Sequence, residues 1–306
     1  MVSADPEVNK PMARVSPRIR LIRTQLDRFQ RALHGVERGD VPSLHRARVA
    51  TRRLREIVPL LQLDGGTAAK LARRLRTVTH RLGTVREHDV LLELVDEMHG
   101  ERRASGDVLA RVGMAVARDR DAARERLFER LPIEDMQRLA RKLRSVADDL
   151  EDEEPRHTRS IRWALDARIA RRATRLAEAL RDAGPVYLPE RLHDARIAAK
   201  KLRYVLEVSA EVTGAAVKDE VARLRRAQDA LGRMHDLQVL IDRVRDVQAT
   251  LAPPSVTVWR ALDTFLRVLD DDCRRLHGRY MKLRPELESI AERFSGAAAP
   301  KTQRAG

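Results

Sequence analysis

The sequence predicts an all-α protein: two pseudo-symmetric helical bundles from an internal duplication, with a basic groove or channel between them. Three observations carry that prediction. Ala, Leu, Arg, Glu and Val dominate the chain, and Gly and Pro are sparse and sit at breaks. No stretch alternates apolar and polar residues as a half-buried strand does. Third, two blocks recur. LHRARVATRRLR (44–55) matches LHDARIAAKKLR (192–203) at an offset of 148, with seven of twelve positions identical and three conservative. LRTVTHRLGTVREHDV (75–90) matches LRRAQDALGRMHDLQV (224–239) at an offset of 149. Matched blocks in the same order, with offsets one residue apart, indicate a duplication.

Pro and Gly punctuation divides the chain into about a dozen helices. The first half, 14–152, holds six, at 17–36, 42–63, 67–82, 86–103, 107–130 and 134–150. The acidic DDLEDEEPRH (148–157), with Pro155, suits an exposed connection. The second half, 158–295, holds six more, at 158–183, 189–213, 217–231, 235–250, 255–283 and 285–295. The tail GAAAPKTQRAG (296–306) is expected to be disordered. Gly83 and Gly232 are expected to end a helix or permit a close turn. Asp89 and Asp236 are expected to cap a helix or pair with an arginine.

Charge narrows the function. Lys and Arg number 61 against 46 Asp and Glu, a formal charge of +15 in 306 residues. Such an excess opposes compaction and ordinarily serves to attract a polyanion: nucleic acid, an anionic membrane or inorganic polyphosphate. The single Cys273 cannot form an intramolecular disulfide, and a reducing cytoplasm is the expected location. The N-terminus lacks the apolar run of a signal peptide, and no stretch approaches eighteen uninterrupted apolar residues, so no membrane insertion is expected. No H-E-x-x-H, phosphate loop, dinucleotide glycine run or G-x-S-x-G occurs, so neither metal nor cofactor is expected. His34, His80, His88, His99, His157, His235 and His277 are scattered and receive no role.

The repeated helix carries the candidate site. On a helical wheel Arg48, Arg52 and Arg55 fall on the side of His45, with Arg53 on the flank. Ala47, Ala50, Leu54, Ile57 and Leu61 gather opposite, as a core-facing stripe. The second copy repeats this with His193, Arg196, Lys200, Lys201 and Arg203, backed by Ala195, Ala198 and Leu202. Arginine's planar fork matches phosphate oxygens, lysine acts as a point charge, and a phosphate chain fits such a strip. A basic stripe is most often a solvated face laced with intrahelical pairs, and Glu56 is placed to pair with Arg52 at i,i+4. Yet both copies keep His and cations at five matched positions while neighbours (Arg46/Asp194, Glu56/Tyr204) drift, which favours a site.

The doubled signature H-x-x-R-[VI]-x-x-[RK]-[RK]-L-R, each followed by L-G-x-x-x-[DE], resembles the CHAD domain, the conserved histidine α-helical domain. The resemblance covers roughly residues 14–295. It implies two pseudo-symmetric helical bundles around a basic central channel that binds inorganic polyphosphate. A cytoplasmic protein that binds this polymer is expected to be found with polyphosphate or storage granules. The family's basic positions fall on His45, Arg48, Arg52, Arg53, Arg55, His193, Arg196, Lys200, Lys201 and Arg203. Its R-D-x-D-V segment reads Arg86-Glu87-His88-Asp89-Val90 here, and His235-Asp236-Leu237-Gln238-Val239 in the second copy. Some members carry a CYTH triphosphatase module marked by E-x-E-x-K; Glu286 and Glu288 have the spacing, but Ile290 replaces the lysine.

A wider basic set is Arg74, Arg76, Arg223 and Arg225, before each L-G, with Arg20, Arg23, Arg168 and Arg171 on the first helix of each half. Nucleic acid is the weaker alternative ligand: single-strand binders usually interleave stacking aromatics, and the strips hold only Tyr204, at the end of the second. Catalysis on phosphoanhydrides needs a metal held by carboxylates or a positioned nucleophile, and the strips contain no acidic pair. A binding protein that is not an enzyme is therefore expected.

Overall fold

The computed structural model describes residues 17–152, 158–251 and 254–296. The end of the acidic connection (153–157) and the tail beyond residue 296 lie outside the described residues. Among the described residues the chain forms nine α-helices, one short 3-10 turn and no strand. They are α1 (Pro17–Glu37), α2 (Val41–Ile57), the 3-10 turn Val58–Leu60, α3 (Gly65–Gly100), α4 (Gly106–Arg130), α5 (Ile133–Asp152), α6 (Thr158–Ala183), α7 (Pro189–Thr213), α8 (Lys218–Ala249) and α9 (Val256–Ser295). The all-α reading is correct, and the number of helices is lower than expected because three breaks are absent.

Two of those breaks were placed at glycine and one at proline. Residues 67–82 and 86–103 form the single helix α3, and 217–231 and 235–250 form α8, so Gly83 and Gly232 lie inside helices. A glycine inside a helix costs only about 1 kcal/mol relative to alanine, and burial on either side outweighs it. At Gly83 an added Cβ would lie 3.2 Å from Arg48 Nε, and at Gly232 3.7 Å from Arg196 Nε. The missing side chains thus admit one arginine from each repeated helix. Likewise α9 runs through Pro285, with Tyr280 buried before it and Leu287, Ile290 and Ala291 buried after it. Local signals set other starts: Asp40 accepts the Ser43 N–H at 2.9 Å, and Asp64 accepts the Thr67 N–H at 2.8 Å.

The order α1–α2–α3 recurs as α6–α7–α8, and in both series each helix packs on the next. The halves then diverge. In the first, α4 packs on α3 and α5 on α1; in the second, the single α9 packs on both α8 and α6. Five helices answer to four, where six in each were expected.

Both halves contribute to two apolar cores. The larger takes in α1, α2, α5, α6, α7, the first parts of α3 and α8, and the ends of α4 and α9. The smaller joins Leu91, Leu94 and Val95 of α3, Val108 and Val112 of α4, Leu237, Leu240 and Ile241 of α8, and Leu262, Phe265 and Leu269 of α9. The predicted stripe of α2 is buried throughout. On α7 the buried positions are Ala195, Ala199 and Leu202, whereas Ala198 lines a cleft. This correction turns the α7 face slightly from the wheel. No helix of the described residues is long and apolar enough to cross a membrane.

Candidate functional site

Helices α2 and α7 meet across the two halves, and their basic faces meet with them. Arg48 and Arg52 of α2 lie close enough to Arg196 of α7 for their charges to act on one another, and Lys200 of α7 sits among Arg196, Arg52, Arg48 and Arg203. Among the described residues no carboxylate comes within ion-pairing distance of Arg48, Arg52, Arg196 or Lys200. Two of the four expose a further deficit: Arg48 Nε and Arg52 Nε are buried without a hydrogen-bond acceptor.

This arrangement leaves its mark on proton affinity. Burial, reinforced by the neighbouring arginines, lowers the Arg48 pKa and brings Arg52 down to about 10. Lys200 is brought down to about 7 by the same two causes. Arg52 and Arg203 both lie over the ring of Tyr204, at 5.0 Å and 4.5 Å from its centroid. Tyr204 is only 5% exposed, so its ring serves as a cation–π floor beneath the two guanidinium groups.

The histidines feel charges from the same turn of α3. The charge of Arg86 acts on His45, and that of Glu87 acts on His193. Burial and adjacent cations lower the pKa of both. The two sides differ in one partner. His193 faces His235 of α8, with Nδ1 to Nδ1 at 3.1 Å and ring centroids 4.4 Å apart. At that distance one Nδ1–H donates and the other Nδ1 accepts, which requires opposite tautomers. Burial, with Arg196 next, brings His235 down to about 4. In the repeat alignment His235 takes the place of Arg86, so a charged partner of the first histidine becomes a neutral partner of the second.

At the far end of both strips carboxylates enter among the cations. Glu56 does not pair with Arg52; it accepts from Arg168 at 2.7 Å and lies 3.4 Å from Arg172 of α6. Glu207 is bound by Arg203, lies 3.6 Å from Arg53 and 3.4 Å from Arg225. Arg55 and Lys201 face a second group around Glu56 that includes Arg172, with Arg76 beside Arg55 and Arg175 beside Lys201. Lys201, Arg172 and Arg175 line a cleft of about 320 Å³ together with Asp194 and Glu178.

The wider set is divided: Arg76, Arg168 and Arg225 reach the ends of the strips, and the rest lie elsewhere. Arg23 is held by Asp148 and Glu151 of α5 at 2.7 and 2.6 Å, at the α1–α5 contact. Arg223 lies 3.8 Å from Glu286. Arg20, Arg74 and Arg171 are exposed. Of the first-helix arginines, Arg168 reaches Glu56, and Arg172 joins the cleft in place of Arg171. Arg86, Glu87, His235, Arg172 and Arg175 were not singled out as site residues. Alignment of the blocks after each L-G pairs Arg86 with His235 and was the available signal for both. Asp89 is not a cap: it is buried inside α3, 3.6 Å from Arg124, which satisfies the alternative of an arginine pair. Asp236 lies inside α8, its carboxyl pKa raised by burial. Among the described residues no group of three or more His, Cys, Asp or Glu is placed to hold a metal ion.

Comparisons with known proteins agree with this architecture. No curated protein sequence matches the chain significantly. Among solved structures, PptA from Streptomyces chartreusis is similar at a TM-score of 0.64 and 17% identity, over 87% of this chain and 97% of that one. The CHAD domain from the plant Ricinus communis is similar at a TM-score of 0.57 and 22% identity, over 85% and 90% of the two chains. Both likenesses concern the fold. The sequence model of the CHAD domain matches residues 20–245, which contain both basic helices and both L-G segments, and this chain therefore belongs to the CHAD domain family.

Proposed function

We propose that this chain binds inorganic polyphosphate in a basic channel between α2 and α7, and that it does so without turning the polymer over. One observation carries the reading: Arg48, Arg52, Arg196 and Lys200 converge from two helices with no carboxylate in ion-pairing distance among the described residues. Unit charges 4 Å apart repel by about 1 kcal/mol in water and about 4 kcal/mol near a protein surface. A ligand with one negative charge per unit relieves several such repulsions at once, and a linear phosphate chain has that spacing of charge. Membership of the CHAD family supports this choice of polyanion.

Nucleic acid is the competing ligand. Tyr204, the aromatic of the strips, is buried beneath two arginines, and a base has no access to its face. That observation favours the simpler polymer. The non-catalytic part of the reading is supported by the chemistry of the strip, where Glu56 and Glu207 are each held by arginines. Glu87 and Asp236, whose charges act on Arg48 and Arg196, belong to no group of three or more metal-ligating side chains among the described residues. A cytoplasmic location at polyphosphate stores follows from the same reading.

The test is binding of polyphosphate of defined lengths, in competition with single- and double-stranded DNA of matched charge, across a salt series. Binding that survives excess DNA, weakens with salt and reaches a plateau with chain length is the expected result. Equal competition by DNA would reduce the site to a generic cationic surface. Phosphate release with added Mg²⁺ or Mn²⁺, lost on substituting the strips, would overturn the non-catalytic part.

A further inference from the structure

This chain is built on arginine: of its 61 basic residues only eight are lysines. One of those eight, Lys200, occupies the most crowded point of the cation cluster, where the first repeat has Arg52. The exchange changes the chemistry available. Arginine keeps its proton at any physiological pH, whereas a lysine among cations can lose its own and become a nucleophile.

The surroundings of Lys200 fit that role. The four charges acting on it most strongly are Arg196, Arg52, Arg48 and Arg203, drawn from α2 and α7. His193 of α7 and His235 of α8 also feel its charge. No carboxylate is within ion-pairing distance among the described residues, and the side chain is half-buried rather than sealed. The arginines, which add to burial in weakening its hold on the proton, are also anion receptors, able to hold a phosphate beside the amine.

We propose that Lys200 is a site of covalent acylation by acyl phosphates, whose phosphate is held by Arg48, Arg52 and Arg196. The neutral Nζ attacks the acyl carbon and forms the C–N bond. The bond from that carbon to the phosphate oxygen breaks, inorganic phosphate leaves with the electron pair, and the nitrogen gives up a proton to water. The product is an amide, with one fewer positive charge at the centre of the cluster. On the polyphosphate reading, acylation would lower affinity; the chemistry itself does not depend on that reading.

The geometry is consistent with the low proton affinity noted above, which makes the neutral amine abundant near pH 7. For an ordinary lysine the neutral fraction there is roughly a thousandfold smaller. Lower basicity offsets part of this advantage, so at least a tenfold lead over exposed lysines is expected.

The experiment is timed exposure of the full chain to acetyl phosphate at pH 7.5, with acetylation at each lysine followed by peptide mass spectrometry. Lys70, Lys142, Lys218 and Lys282, all exposed, serve as internal references. Lys200 should lead them by tenfold or more, and excess pyrophosphate should remove the lead. With the uncharged reagent N-acetoxysuccinimide the lead should shrink. Acetylation of Lys200 no faster than the reference lysines would overturn the proposal. A lead unchanged by pyrophosphate and equal with both reagents would overturn the part given to the arginines. Polyphosphate binding, measured separately on unmodified protein, decides the ligand independently of either outcome.

Discussion

The carboxylate of Glu56 accepts a hydrogen bond from Arg168 of α6 at 2.7 Å, and Arg52, one turn earlier on the same helix, has no counterion among the described residues. Both partners are largely buried, with 11% and 16% of their side chains exposed. Had the carboxylate turned along its own helix, the strip would have been an ordinary solvated face. The cross-helix pairing is what separates the centre of the strip from the end where carboxylates enter.

Removing that carboxylate should therefore act on stability first. In Glu56→Gln, Arg168 and Arg172 lose their anion while staying largely buried, a change that costs about 3 kcal/mol at sites of this kind. Thermal unfolding should show a clear drop in Tm, with added polyphosphate restoring part of it. An unchanged Tm would mean that the pair is not held in solution.

Substitution at the centre should act on binding. Arg52→Gln and Arg196→Gln each remove one charge-assisted contact, for a loss of about tenfold or more in affinity. Each should also reduce the salt slope by about one. Arg23→Gln, at the α1–α5 contact, is the matched control and should bind as the parent does. Equal losses in all three variants would indicate a diffuse field rather than a built strip.

The pH dependence has a definite sign. Lys200 has a folded pKa of about 7 against an ordinary lysine value, so the folded state disfavours its proton. The resulting penalty is absent above the unfolded pKa and complete below about 7, so ligand-free stability falls as pH drops from about 10 to about 7. His235, lowered to about 4, continues the decline below pH 6.5, and Asp89 and Asp236, raised by burial, act in the opposite sense. A bound polyanion favours the protonated forms, so binding should take up protons. Calorimetry in buffers of different ionisation enthalpy measures this; proton release would contradict it.

The two glycines inside α3 and α8 should differ. An alanine at either position gains about 1 kcal/mol of helix preference. At Gly232 the new methyl group has room, at 3.7 Å from Arg196, and Gly232→Ala should stabilise while leaving binding within about twofold. At Gly83 it meets Arg48 Nε at 3.2 Å, and Gly83→Ala should move the guanidinium and weaken binding. Melting and binding curves on both variants check the contrast.

Much of this was legible in the sequence because the signals are periodic. The stripe of Ala47, Ala50, Leu54 and Ile57 and the repeated His and cations follow helical spacing, and the helix class follows from composition. The breaks at Gly83, Gly232 and Pro285 were misplaced because a local signal cannot weigh burial along a helix against one unfavourable residue. Partners such as Arg168 for Glu56, or His235 for His193, come from other helices, and periodicity along one helix has no information about them.

The sharing of both apolar cores has a consequence for folding. Helices α3 and α8, one from each half, each run from the larger core into the smaller, and every layer they cross is completed by helices from both halves. A half expressed by itself would carry open apolar faces and no partner to cover them. The two halves, co-expressed as separate polypeptides, should instead assemble with each other by fragment complementation, and the cation cluster would form only in that reconstituted pair.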